Sequence, residues 1–389
     1  MPNAPLRDGL PQSDYYAPEF KIQVEGKDVA PEVLREILDV KVVMDMQNMT
    51  SFDFTIANPW HYKDPEGAIF KYSDSTLFDL GNLVHIEMGY ADRLLPMMAG
   101  IITKLTPKFP ESGPPTILVT GQDRLIKLRD RKPKKGEVKY YTQKHDYEIA
   151  EVIAKRNNLK VEVTREGPQH PIVVQRNQDD AAFLMERAKR IDFDCYIDVN
   201  PKTRKDTLYF VKPTDGRGTS QRLTYVFQWG KSLRSFTPEL TAARQVSRVT
   251  VKGWNPKKKE KISYTATKSD LDGKKSAGTS GPAVAEAKLD KKEEVVVDWP
   301  VQTLEEAKAL AISLLRERAY EFLQASGEAI GLPDMRPGDN VEIKDIGLRF
   351  SGQYYVTRVE HAIGNNGYTT SFTVRRSWDG GTKKAGGAA

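Results

Sequence analysis

The sequence predicts a mainly β protein with an α+β part: two similar β-barrels and a small α+β domain between them. Three observations carry this. Residues 331–378 hold three runs, 340–343, 353–361 and 368–376, rich in Val, Ile, Tyr, Phe and Thr and bounded by turn residues. These bounds are Pro337-Gly338-Asp339, Ser351-Gly352 and Gly364-Asn365-Asn366-Gly367, which reads as three antiparallel strands. Residues 77–123 carry the same pattern. Gly81-Asn82-Leu83-Val84-His85-Ile86 lines up with Gly338-Asp339-Asn340-Val341-Glu342-Ile343, and Gly100-Ile101-Ile102 with the run that starts at Gly352, within a slip of one or two residues. One supersecondary unit present twice is the mark of a duplication. Between the copies, helical spacing replaces strand alternation from Asp146 onward.

In chain order, residues 1–16 are expected to be a polar N-terminal arm, without the apolar centre of a secretory signal. The first barrel spans 17–130: a strand at 20–24, a short helix or turn at 29–38, a strand pair at 39–46 and 51–56, a loop over 58–74, then the first repeat copy. Six or seven strands result, enough to close a small barrel. The α+β domain takes 140–215. There Asp146 reads as the N-cap of a helix with Ile149, Val152 and Ile153 on one face, and Asn177-Gln178-Asp179-Asp180 opens a second with Phe183, Leu184, Ala188 and Ile191 buried. Strands at 159–163, 172–175, 195–199 and 207–212 complete it. The second barrel takes 216–256 and 294–378, with strands at 222–227 and 243–252 and a helix over 303–324 started by the capping box Thr303-Leu304-Glu305-Glu306.

Residues 257–293, rich in Lys, Ser, Ala, Asp and Gly, hold too little apolar surface to offset the entropy of ordering. They are expected to be a mobile loop, and 379–389 a flexible tail. In the 353–361 strand, alternation puts Tyr355, Thr357 and Val359 on one face and Tyr354, Val356 and Arg358 on the other. Both faces carry apolar bodies, so this sheet is expected to be covered twice.

Composition excludes several function classes. No run approaches the roughly 18 apolar residues of a membrane span, so membrane insertion is not expected. The net charge of +6 is a small excess on a heavily charged surface, and the densest basic runs, 127–139 and 257–261, contain no aromatic residue within them. They read as solvated loops, not as a nucleic-acid platform. Cys195 is the only cysteine and sits in an apolar run, which makes it a buried small hydrophobe and rules out disulfides and thiolate clusters. His61, His85, His145, His170 and His361 are scattered singly, and no phosphate-binding loop or nucleophile elbow is present. Asp192 and Asp194 flank Phe193 and read as junction and cap residues, in preference to a catalytic carboxylate pair. The expectation is no catalytic residue, no cofactor and no metal.

A set of motifs spread along the chain carries a resemblance. Residues 331–343 with 350–361 and 367–376, the stretch Val174-Gln175-Arg176-Asn177-Gln178-Asp179-Asp180 with Phe183-Leu184, and Val249-Thr250-Val251-Lys252-Gly253-Trp254-Asn255-Pro256 resemble the phage late control protein D family. That family contains the baseplate hubs of contractile phage tails and related injection systems, and is similar to the N-terminal half of type VI secretion spike proteins.

The resemblance implies two tail-tube-like barrels per chain, and a homotrimeric ring of six barrels that adapts a threefold spike to a sixfold inner tube. Duplication answers that symmetry mismatch physically, since a chain with two similar barrels is both threefold and sixfold. Repeat and resemblance together single out Gly81, Gly100, Gly253, Trp254, Pro337, Gly338, Gly352, Tyr355, His361, Gly367 and Tyr368 as structural motif residues. The partners implied are further copies of the chain, a separate β-rich trimeric spike, an inner tube protein and other baseplate proteins. The spike is expected to be separate because residues 379–389 are too short and polar to make one. Synthesis in the bacterial cytoplasm and residence in the assembled particle follow. The alternative is an enzyme such as a cell-wall hydrolase, or a nucleic-acid-binding protein, built on the same barrels.

Overall fold

The computed structural model describes residues 6–11, 17–46, 48–64, 67–123, 128, 138–199, 206–213, 223–271 and 278–381. Strands β1 (Pro18–Val24), β2 (Ile37–Asp45), β3 (Ser51–Ala57), β4 (Leu83–Tyr90), β5 (Arg93–Lys108) and β6 (Thr116–Asp123) form the first barrel. The second is made of β7 (Thr224–Gln228), β8 (Leu233–Leu240), β9 (Leu323–Ile330), β10 (Asn340–Lys344), β11 (Gly352–Gly364) and β12 (Gly367–Arg376). Hydrogen-bonded neighbours run β1-β4-β5-β6-β3-β2 in one and β7-β10-β11-β12-β9-β8 in the other. The order is the same. Only the direction of the first strand differs: β1 is antiparallel to β4, whereas β7 is parallel to β10.

Backbone irregularities recur at matching positions. Gly81 (φ 89°) donates its N–H to the Ile102 carbonyl at 2.9 Å, and Gly338 (φ 91°) donates to that of Val356 at 2.8 Å. A side chain is strained at such φ, which is why glycine stands at both places. One residue later along β5 and β11 comes a bulge: Thr103 lies unpaired between Ile102 and Lys104, and Thr357 between Val356 and Arg358. Each bulged threonine donates its hydroxyl to a carbonyl across the ladder, that of Thr120 at 3.4 Å and of Thr373 at 3.2 Å. A second bulge also repeats, at Leu38 in β2 and Arg234 in β8. Bulges bend a strand and add twist, so two of them at the same places give both sheets the same curl.

The bulge at Thr357 also changes which side chains face inward. Simple alternation separates Val356 from Val359, but the extra residue brings both into one core with Tyr354, Phe372 and Tyr225. The first barrel is filled by Phe52, Phe54, Ile86, Met88 and Val119 with Phe78 edge-on to Phe54. Side chains of this size each contribute about 1.5–3 kcal/mol when fully buried.

Two further units flank the barrels. The α+β domain packs α1 (Asp146–Arg156) and α2 (Asp180–Arg190) on two small sheets, around Ile149, Ile153, Leu184 and Phe210. Leu128 is buried in this core, so the first barrel ends before 130. The other unit departs from expectation. Strands Arg248–Asn255, Glu260–Thr267 and Glu293–Val296 form their own three-stranded sheet, covered by α3 (Leu304–Tyr320) around Val249, Val251, Leu310 and Leu315. They are not barrel strands, and the barrel's third strand is β9.

Several expectations give way in the same manner. Within 257–293, the described residues include the strand Glu260–Thr267 and the helix Gly281–Lys288. Ile262 and Ala266 supply the apolar anchors that average composition hid. The loop expected over 58–74 contains a small hairpin, Trp60–Lys63 with Gly67–Phe70. The N-terminal arm adds Leu6–Asp8 as a parallel strand beside β7. Asp379, expected to begin a flexible tail, is buried and accepts from the Thr279 N–H at 2.7 Å and from Arg349 Nε at 3.1 Å. Residues 127 and 129–137 of the basic run, and 382–389 of the tail, lie outside the described residues.

Candidate assembly site at the junction of the two barrels

The two barrels are one continuous sheet of fourteen strands because β11 is shared. On one edge β11 pairs along its length with β12; on the other it pairs first with β10 and then, from Arg358 to Ile363, antiparallel with β2 of the first barrel. The register sets Val359 opposite Met44, His361 opposite Val42 and Ile363 opposite Val40, all six buried. On the outer face Arg358 lies opposite Asp45, Glu360 opposite Val43 and Ala362 opposite Lys41. Two apolar pairs and the uncharged His361–Val42 pair thus line the inside, and the charges face out.

His361 is fully buried at the middle of this seam. Its Nε2–H donates to the Met335 carbonyl at 3.1 Å, and its Nδ1 accepts from the Tyr368 hydroxyl at 3.0 Å, with the Thr370 hydroxyl at 3.2 Å. Burial, with the Arg336 charge nearby, lowers its pKa to about 3, so the ring is neutral in the folded protein. Tyr90 of the first barrel packs on Tyr368 with centroids 5.6 Å apart and donates to the Gly331 carbonyl at 2.9 Å. Arg336 donates to the Pro96 carbonyl at 2.9 Å. The segment between β9 and β10 is therefore pinned from both barrels.

The structure brings some of the singled-out residues together and scatters the rest. His361 and Tyr368 meet at the seam, while Gly338, after Pro337 in the turn before β10, bonds to Val356 of β11 ahead of the stretch that β2 covers. Gly367 closes the β11–β12 hairpin, and Gly352 (φ 123°) lies beside the Arg376 guanidinium. Gly81 holds the place of Gly338 in the first barrel, and β6 passes Gly100 so closely that a Cβ there would meet the Gln122 carbonyl at 2.6 Å. Gly100 corresponds to Tyr354 of β11, two residues beyond Gly352. Tyr355 faces the other way, onto the α+β domain, and donates to Asp194 at 2.5 Å. Gly253 and Trp254 belong to the separate three-stranded sheet, away from the seam.

The residues weighed for chemistry serve as ties between units. Asp194 accepts from Tyr355, and Asp192 accepts from Arg316 Nη1 of α3 at 2.9 Å. A cavity of about 330 Å³ lies among Asp192, Asp194, Cys195, Tyr320 and Arg375. Burial pushes the Cys195 thiol up to about 12, which removes its nucleophilic form at neutral pH. Among the described residues no group of three or more His, Cys, Asp and Glu is arranged to hold a metal ion, and no helix is long and apolar enough to cross a membrane.

One charged cluster escaped sequence reasoning. His170 donates to Glu306 Oε1 at 2.5 Å and to Asp146 Oδ2 at 3.0 Å, and Arg187 Nε donates to Asp146 Oδ1 at 2.5 Å. Burial opposes the charge on His170, but the two carboxylates outweigh it and raise its pKa. Asp146 is thus the first residue of α1, inside the fold, while His145 is the N-cap. Glu306 does two jobs: its other oxygen accepts from the Thr303 N–H at 3.3 Å in the expected capping box. The cluster ties the α+β domain to α3.

With this geometry in view, comparison with solved structures places the fold among phage tail proteins. The 43 kDa tail protein of prophage MuSo2 from Shewanella oneidensis is similar at a TM-score of 0.66 and 13% identity, over 93% of this chain and 100% of that one. A tail protein from Neisseria meningitidis MC58 is similar at 0.65 and 13% identity, over 93% and 97%. The E. coli c3393 protein, a component of the type VI secretion system, is similar at 0.54 and 11% identity, over 91% of this chain and 76% of that one. The family model described as the Alg8 N-terminal domain matches residues 15–365, and the chain belongs to that family. No curated protein matches the chain.

Proposed function

We propose that the chain is a structural baseplate hub of a contractile phage tail or contractile injection system, a trimeric ring of six barrels between a threefold spike and a sixfold inner tube. The single observation that carries this reading is the duplication, with one strand order, two matching bulges and one edge-to-edge seam. A seam that joins barrel to barrel through a shared sheet repeats around a ring, and three chains of two barrels give six equivalent stations. The tail-protein fold supports the same reading. The partners are then further copies of this chain, a trimeric spike, an inner tube protein and other baseplate proteins, with residence in the assembled particle. The carboxylates Asp192 and Asp194 are occupied by Arg316 and Tyr355, which favours a structural role over a hydrolytic one. Native mass spectrometry of the purified protein, alone and after co-expression with spike and tube proteins from the same cluster of genes, tests the proposal. A trimer that captures both is expected; a chain that stays monomeric in every combination overturns it.

A further inference from the structure

The internal seam predicts where one copy meets the next. In the second barrel, the half of β11 beyond its bulge is covered by β2. The matching half of β5 in the first barrel, Lys104 to Lys108, pairs with β6 on one edge and has no strand on the other among the described residues. Likewise β8, the counterpart of β2, pairs with β9 on one edge and, apart from an isolated bridge of Leu233 to Trp229, has no strand on the other among the described residues. The molecule therefore carries two open edges that match the two halves of the internal seam.

Resting on the ring reading above, we infer that the β8 edge of one protomer lies antiparallel against the β5 edge of the next, in the register of the β2–β11 seam. Matched bulges fix that register. Leu105 then faces Leu240, Pro107 faces Pro238 and Phe109 faces Phe236 on the inner side. On the outer side Thr106 faces Glu239, with Lys104 and Lys108 diagonal to that carboxylate. This repeats the pattern of the internal seam, apolar within and oppositely charged without, at the range where cross-strand pairs interact. The inner residues leave room for a neighbour: Val40, Val42 and Met44 are buried, whereas Phe236, Pro238 and Leu240 are only half-buried and Phe109, edge-on to Phe70, is still 57% exposed.

The two seams differ at their centres. The Met46 N–H donates to the Thr357 carbonyl at 3.2 Å, so alternation turns the N–H of Val42 toward β11 as well. At the outer seam both central positions are proline, which has no N–H to give. Prolines are tolerated on edge strands and discourage indiscriminate pairing. The seam between protomers is accordingly the weaker of the two, held by side chains and by its outer hydrogen bonds.

Engineered cysteines test this, since the one native cysteine is buried. Lys108→Cys and Thr237→Cys stand opposite each other on the outer side, and both native residues are exposed. The double variant should form a covalent trimer under mild oxidation. Each single variant alone should not crosslink, and their mixture should stop at dimers. A trimeric mass without the disulfide overturns the edge pairing and leaves the ring standing, whereas a monomeric mass at every concentration overturns both. Crosslinking of Lys108→Cys to itself overturns the head-to-tail arrangement. Pro238→Val restores one N–H opposite the Pro107 carbonyl and should tighten self-association about fivefold, the worth of one hydrogen bond; unchanged or weaker association counts against the proposal.

Discussion

The two barrels agree in backbone and disagree in what covers them. Strand order, the glycines at Gly81 and Gly338, and the bulges at Thr103 and Thr357 are common to both. Side chains at matched positions have diverged: buried His361 corresponds to exposed Pro107, and buried Val42 to half-buried Pro238. The lesson is that a duplicated sheet keeps the devices that set its curl and lets its edges specialise. One edge became a permanent seam, the other a proline-blunted surface.

Exchanging the central residues of the two edges breaks this comparison most severely. Val42→Pro puts the outer-edge residue into the buried seam, removes a ladder hydrogen bond and forces a ring against β11, for a loss of about 3 kcal/mol. Urea unfolding reads it, and the reverse change, Pro238→Val, should move the monomer by less than about 0.5 kcal/mol. Equal effects would mean that the two edges are alike.

The seam should also titrate in only one barrel. His361 is held neutral with a folded pKa of about 3, while the unfolded chain takes up the proton near 6.5. Stability from this group is therefore complete above pH 6.5 and falls as pH drops toward 3, by about 1.4 kcal/mol per pH unit. His361→Gln should remove that slope, measured as the difference between the two proteins so that other groups cancel. Pro107, its counterpart, does not titrate. The raised pKa of His170 acts in the other direction: its contribution is complete below about 6.5 and is lost as pH rises through the folded value.

Smaller effects sharpen the match. Gly81→Ala and Gly338→Ala should each cost about 1 kcal/mol for the left-handed backbone, and by similar amounts if the device is the same. Space around Gly81 is open, so the cost there is conformational. Thr357→Val should cost about 1 kcal/mol and exposed Thr103→Val less than about 0.5, in thermal melts of the two variants side by side.

How far the sequence shows this architecture depends on which residues one reads. The repeat of β4-β5-β6 as β10-β11-β12 is legible because Val and Ile alternate between glycine turns. The strands β8 and β9 are not, since Pro238 and Gly327 interrupt them as breakers would. Phase inside β11 is also hidden, because nothing in Val356-Thr357-Arg358 announces a bulge that brings Val356 and Val359 to one side. His361 reaches Tyr368 within its own hairpin, but its other partner is Met335 on a separate segment, which no local spacing shows. The Asp146–His170–Glu306 cluster draws one residue from each of three elements, and no spacing along the chain could have joined them.

The shared strand β11 also sets a timetable. During synthesis β2 emerges early, yet the residues that cover its edge, Arg358 to Ile363, follow about 300 residues later. At about 5–20 residues per second, the first barrel waits on the order of tens of seconds with that edge open. Pairings so distant in sequence also form slowly once both strands exist. Until then Val40, Val42 and Met44 present an apolar edge to any neighbouring chain, so yield of the native protein should depend on translation speed and on chaperones that shield nascent strands, more than on the final stability of the seam.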